Sequence, residues 1–447
     1  MTTTSTLPWF DDGDPIPDPT SVEFVRVEVA RRVEAGDLDE ATVIHEELAM
    51  WAAHRVRRGL PELSQAAERR LEEAVRGAVN GLGGLAPVLD RDRVENIHIH
   101  GCDQVLVECS DGTTARWPYS VAESDEALLE LLGELFARLG HTSREFSSAH
   151  PIANMRIGAG GPLGSRVAAV REVCARPRVA IRRHRLAHAT LDDLHTNGTL
   201  DDRLHAFLAA VVTAGLNVLV TGGPYAGKTT MLRALCQQIP APEHVITVED
   251  DYELGLHLDP HRHPLVTAWE ARTAGAEGTG EITLDDLLKQ SLRHSPSRVI
   301  VGEVRAGEIT ALLRALGNGA AGGMGTLHAT SAAAVPDRIA ALGQLADPPL
   351  PIAAAHRWTA SALDLIVHVT RHDTPHGRHR TVAEIVEVGP VGDADIPDLT
   401  PLVATPPGQD RAVPIGPPSP GLLDRLIHAG LDPDVFEPPA LIGGGRR

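Results

Sequence analysis

A chain of 447 residues has room for about three folded units at roughly 150 residues each. With 43% hydrophobic and 23% charged residues it can bury sizeable cores, which excludes disorder throughout. Its formal net charge of −19 opposes a general nucleic-acid coat, which needs surplus Lys and Arg. Lysine is nearly absent, with Lys228 and Lys289 the two in the chain, so each draws attention. Cys102, Cys109, Cys174 and Cys236 form no CxxC pair and show no secretory spacing, the pattern of a reduced cytoplasmic chain.

Residues 1–20 are acidic and proline-rich, expected to be disordered and unlike a signal peptide. Residues 21–84 read as a helical extension. VIHEELAMWAAHRV (43–56) and LSQAAERRLEEAVRGAV (63–79) carry apolar residues at 3–4 spacing. Residues 85–188 read as a smaller α+β domain. In it VENIHIHG and DQVLVE alternate like strands around a turn, and DEALLELLGELFARLG (125–140) is an amphipathic helix. SRVAAVREV and PRVAIRR are two more strands of that domain. The polar TLDDLHTNGTL reads as a hinge over 189–200.

From 201 to 392 helices alternate with near-continuous Val/Ile/Leu runs. NVLVT (217–221), HVITVED (244–250), RVIVGEV (298–304), MGTLHA (324–329) and LIVHVT (365–370) predict a mainly parallel sheet buried on both faces. Residues 393–447 read as a proline-rich tail with one short helix, GLLDRLIHAG. The most apolar stretch, Phe207 to Val220, is about 14 residues, short of the roughly 18–20 of a spanning helix. No transmembrane segment is expected.

The chemistry centres on GGPYAGKT (222–229), which fits G-x-x-x-x-G-K-[ST] between a strand and a helix. Backbone N–H groups at such a helix start cradle phosphates, and Lys228 adds a point charge. Gly222, Gly223, Pro224, Tyr225, Ala226, Gly227, Lys228, Thr229 and Thr230 are therefore the nucleotide-binding residues, with Thr229 placed for Mg²⁺. Two neighbouring strands end in acids, Glu249 with Asp250 and then Glu303, where one can polarise water and one can hold the Mg²⁺ shell. His328 ends a further strand and reads either as a γ-phosphate sensor or as a satisfied structural histidine.

GGPYAGKTT, ITVEDDYEL, LRHSPSRVIVGEVR and GGMGTLHATSA, in this order, resemble the type II/type IV secretion and pilus-assembly ATPases. There they correspond to the phosphate loop, Asp box, Walker B segment and His box. NIHIHGCDQVLVE, ANMRIGAGGPLGSRVAAV and the segment at 270–283 are most similar to the tight-adherence (Flp pilus) branch. The resemblance implies a RecA-like ATPase domain behind the α+β domain, with ATP and Mg²⁺ bound. It implies Glu303 and Glu249 as catalytic acids, Glu249 also toward Mg²⁺ partly through water, and His328 as the His-box residue. Arg166 and Arg182 match arginines that reach the nucleotide, with Arg156 and Arg272 weaker matches. It further implies a homo-hexamer at the cytoplasmic face of the membrane, acting on an inner-membrane platform protein to power pilus assembly or secretion, with no direct nucleic acid.

Three departures stand out. Pro224-Tyr225-Ala226 replaces Thr-Gly-Ser, and a tyrosine restricts the loop if that position needs φ > 0. Ser297 stands where an Asp is common, and Ala320 and Ala321 replace a His-Asp pair. These bear on turnover and on coupling between subunits. REVCARPRVAIRRHR (171–185) is basic, and arginines serving ATP explain it better than nucleic acid does. The histidines of HLDPHRH (257–263) and HVTRHDTPHGRHR (368–380) lack the spacing of a metal site. Two alternatives remain open at this point: a DNA-handling, conjugation-type motor, and a nucleotide-binding scaffold with little turnover.

Overall fold

Apolar stripes at helical spacing build three amino-terminal helices, α1 (Pro19–Glu34), α2 (Glu40–Arg57) and α3 (Gln65–Val79). The computed structural model describes residues 19–34, 39–79, 81–139, 146–184, 188–274, 278–317, 321–374 and 377–436. The expected disordered arm therefore lies outside the described residues up to 18, and Pro19 and Thr20 open α1. The chain divides into two units, Met1–Arg185 with Gly275–Thr279, and Leu186–Ala274 with Gly280–Arg447.

In the first unit Val25, Val29, Val43, Ile44, Leu71 and Val75 close a small core between the three helices. Gly77 lets α3 meet α4 (Ala86–Leu89), since a Cβ there would lie 2.1 Å from Ala86 Cβ. A six-stranded antiparallel sheet follows, built from β1 (Val94–His100), β2 (Gln104–Cys109), β3 (Thr114–Trp117), β4 (Ile152–Ile157), β5 (Ser165–Val170) and β6 (Arg178–Arg183), in the order β3-β2-β1-β6-β5-β4. Period-2 alternation turns Ile97, Ile99, Val167 and Ile181 toward Leu128, Leu132, Leu135 and Phe136 of α5 (Asp125–Leu139). On the other face the register sets Asn96, Arg182, Arg166 and Arg156 side by side across β1, β6, β5 and β4.

The second unit begins with a correction. Residues 189–200 are no free hinge: Thr190 and Asp193 form a reciprocal capping box that starts α6 (Leu191–Thr196). Leu191, Leu194 and Leu200 are then buried in the unit's main core. Next come α7 (Asp202–Thr213), β7 (Val218–Gly222), α8 (Lys228–Cys236), β8 (Val245–Glu249), β9 (Val266–Glu270) and α9 (Leu284–Ser291). They are followed by β10 (Arg298–Val304), α10 (Ile309–Gly317), β11 (Met324–His328), α11 (Val335–Gly343), α12 (Ile352–Ala362) and β12 (Leu365–Thr374). The last elements are β13 (Gly377–Val391), β14 (Pro397–Ala404), β15 (Val413–Pro414) and α13 (Pro420–His428).

Among the described residues the sheet has nine strands in the order β15-β14-β13-β12-β7-β11-β10-β8-β9. The run from β12 to β9 is parallel, as the apolar runs require. At its foot the buried Arg298 donates to both Glu243 carboxylate oxygens and, at 2.8 Å, to Val212 O. None of the described helices is long and apolar enough to cross a membrane.

The tail also differs from expectation. β13, β14 and β15 extend the sheet antiparallel, and α13 lays Leu422 and Leu426 into the same core as β7 and α7. Pro397, Pro414 and Pro420 stand at the ends of β14, β15 and α13. Leu426→Ala is expected to cost about 2–5 kcal/mol, as for other fully buried leucines. Urea unfolding of the full chain checks it, and an unmoved midpoint would return this segment to solvent.

Candidate active site

β7 is buried along its whole length and releases the phosphate loop between β11 and β12. Gly222 and Gly227 have φ of 156° and 95°. A Cβ on Gly222 would lie 2.4 Å from Val369 O, and one on Gly227 would lie 2.9 Å from Arg380 Cδ, so both positions need glycine. Gly227 caps α8 with no side chain bonded to the first turn, and such N–H groups suit an anion. Tyr225 has φ 59°. The position does take the left-handed conformation, and here a tyrosine adopts it. Pro224 is exposed beside it, Ala226 is buried beneath, and Thr229 and Thr230 stand half-buried in the first turn of α8.

A line of groups runs from this loop along the carboxyl edge of the sheet. Lys228, only 7% exposed, donates from Nζ to Gly223 O at 3.1 Å and lies 3.1 Å from His328 Nδ1. His328 Nε2 is 2.8 Å from Glu303 Oε1. Burial, then the Lys228 charge, holds the His328 ring below its ordinary pKa. The network thus assigns a neutral ring that accepts from Lys228 and stands beside the Glu303 carboxylate. Arg305 then bridges Glu303 at 2.7 Å and Asp250 at 3.1 Å. The β10–β11 register shifts between Val301 and Val304, which re-aims Glu303 at the strand end.

Glu249 stands apart from this line. It is 1% exposed, and its Oε2 accepts from Glu253 N at 2.8 Å and Leu254 N at 2.9 Å. The buried Arg233 grips the same two residues from the other side, donating to the Glu253 and Leu254 carbonyls. Gly302 makes room, since a Cβ there would lie 3.1 Å from Glu249 Cγ. Burial pushes the Glu249 carboxyl up to about 8. Two sequence-predicted acids therefore sit in opposite environments: Glu303 on the ion-pair line, Glu249 sealed behind the loop that carries Asp250.

Thr229, Asp250 and Glu303 offer the oxygen donors that Mg²⁺ takes. Among the described residues no cluster of three or more His, Cys, Asp or Glu forms a metal set. Arg272 donates to Gly280 O at 2.6 Å and lines a cavity of about 1100 Å³ with Asp250 and Arg305. Arg156, Arg166 and Arg182 are the row on the first unit's sheet. Ser297 Oγ accepts from His244 N at the amino end of β10, far along the strands from the phosphate loop. Ala321 sits at the amino end of β11, and Ala320 lies outside the described residues.

Arg305 and Arg233 were missed in the sequence. Arg305 follows Glu303 by two, the spacing that keeps side chains on one face of a strand, and that signal was there to use. Glu249 yields a pH test. Its folded value near 8 exceeds its ordinary 4.5, so the folded state keeps a proton that the unfolded chain loses, and stability falls as pH rises through that window. Glu249→Gln keeps an acceptor and removes the titration. Its stability relative to the parent chain is expected to rise from pH 5 to 8 by roughly 1 kcal/mol per unit. Parallel unfolding profiles would mean the carboxyl is ionised in the fold.

Comparison with known proteins places the chain in a family. A family model described as type II/IV secretion system protein matches residues 123–395. A Mycobacterium tuberculosis protein, provisionally described as a conjugal transfer protein, is 36% identical over 312 residues, or 69% of this chain and 84% of its own. The type IV secretion system protein VirB11 of Brucella suis is 27% identical over 330 residues, 67% of this chain and 87% of its own. Among solved structures the Legionella pneumophila ATPase DotB matches with a TM-score of 0.46 at 16% identity, over 67% of this chain and 78% of its own. The chain belongs to the type II/IV secretion system protein family.

Proposed function

We propose that this chain is an ATP-hydrolysing motor subunit that powers secretion or pilus assembly. It would work as a homo-hexameric ring at the cytoplasmic face of the membrane, through an inner-membrane platform protein. The observation that carries the reading is the continuous line Lys228–His328–Glu303–Arg305–Asp250 leading away from the phosphate loop. Lys228 gives up its contacts with Gly223 O and His328 to the terminal phosphate. His328, released from the ammonium beside Glu303, reports whether that phosphate is present.

Glu303 takes the proton of an attacking water, held at the right height by His328 on one side and Arg305 on the other. Thr229 and Asp250 would hold Mg²⁺, which would supply charge neutralisation on the phosphates. Glu249 acts through the loop it fixes. Arg166 and Arg182, with Arg156 in the same row, are the guanidinium forks that answer phosphate charge.

Phosphate release by the full chain with Mg²⁺ and ATP tests this reading, with particle size taken from the same samples by light scattering. Lys228→Ala is expected to lose nucleotide binding. Glu303→Gln is expected to keep binding and lose about 10²- to 10⁴-fold in turnover. Tight ATP binding without turnover at any particle size would leave a nucleotide-gated scaffold. The mycobacterial relative's description as a conjugal transfer protein favours one other reading, a DNA-handling motor. Strong stimulation by DNA that fades steeply with salt would support it.

A further inference from the structure

The histidine- and arginine-rich stretch 368–380 has no part in the chemistry above. Its pairing explains its composition. In the β12–β13 hairpin Arg371 lies opposite Arg380 and His372 opposite His379, so the arginines share one face and these histidines the other. Like charges placed directly opposite each other repel, and Asp373, 3.0 Å from Arg371 Nη2, answers part of that charge.

Both arginines reach the phosphate loop at Tyr225. Arg380 Nε donates to Tyr225 O at 3.2 Å, and its side-chain stem covers Gly227. The Arg371 guanidinium sits 5.9 Å from the centre of the Tyr225 ring, within cation–π reach. Tyr225 is 55% exposed on a backbone at φ 59°, a conformation costly for an aromatic residue. The loop thus holds a strained, exposed tyrosine, fixed by two arginines from one hairpin.

The strand order gives this arrangement a direction. Lys228 turns toward His328 on β11, one neighbour of β7, and Glu303 follows on β10 beyond it. The terminal phosphate belongs on that flank. β12 is the other neighbour of β7. A nucleoside triphosphate seated in the loop therefore extends its nucleoside toward the β12–β13 hairpin.

We propose that Tyr225 is the platform on which the nucleobase stacks, with Arg371 steadying the ring and Arg380 anchoring the loop carbonyl beneath it. The proposal rests on reading the phosphate loop as the ATP site. Its test is equilibrium binding of ATP and of inorganic tripolyphosphate, each with Mg²⁺, to the full chain. Tyr225→Gly is expected to weaken ATP about tenfold, the scale of one base–aromatic stack. It should leave tripolyphosphate unchanged or tighter, since glycine takes φ 59° without strain. Tyr225→Phe keeps the ring and is expected to bind ATP like the parent chain, and Arg371→Ala to weaken ATP alone.

An ATP-to-tripolyphosphate ratio unmoved by Tyr225→Gly would overturn the platform and leave the phosphate site standing. A parent chain that binds neither ligand, or a Lys228→Ala chain that binds both as well as the parent, would overturn the phosphate-loop reading and the platform with it.

Discussion

An ammonium buried at the edge of a sheet must be answered, and Lys228 is the charge on which the rest of the site depends. Removing a cation from water costs several kcal/mol unless partners make up the loss. A carbonyl and a neutral imidazole are among those partners, at 3.1 Å each. The close packing around Gly222 and Gly227 sets the loop itself: it can hold its shape only where side chains are missing, and their absence brings backbone N–H groups up to the ligand. Lys228 survives in a chain that otherwise uses arginine because a compact point charge fits inside the loop where a planar fork would not.

The acids show how environment separates residues that look alike in sequence. Glu249 and Asp250 are adjacent, yet one is sealed and the other reaches Arg305. Burial keeps Glu249 close to neutral, and its one working oxygen fixes two peptide N–H groups while Arg233 holds the matching carbonyls. A peptide gripped from both polarities is stiff, and stiffness here fixes the loop that starts at Asp250. Pairs of carboxyls pushed apart in this way commonly divide their roles. The partly exposed Glu303 pairs with Arg305 and stands beside His328, whereas Glu249 holds a loop.

Much of this was legible from residue types alone. The five apolar runs are strands because only a parallel sheet buries both faces, and the loop motif fell where strand gave way to helix. β9, with VTAWE half-buried throughout, lacked the continuous apolar run of its neighbours. β13 to β15 were hidden by prolines at their ends and by polar residues on an antiparallel extension. Residues 191–200 looked like linker because capping boxes use the same Thr, Asp and Asn as turns, and the leucines between them were the signal that the segment packs. The departures at Ser297 and Ala321 both sit at amino ends of strands, the end away from the phosphate loop.

Register is what no single stretch of sequence reveals, and it organises the arginines. Arg156, Arg166 and Arg182 lie many residues apart, yet pairing sets them in one transverse row, with neighbouring strands about 4.8 Å apart. Arg371 and Arg380 repeat the device on a hairpin. Adjacent guanidinium groups lower stability when nothing lies between them and raise affinity when a polyanion does. The proposed function gives the first row a nucleoside triphosphate as its ligand, which is also what it gives the buried Lys228, while Arg371 and Arg380 hold Tyr225 of the phosphate loop.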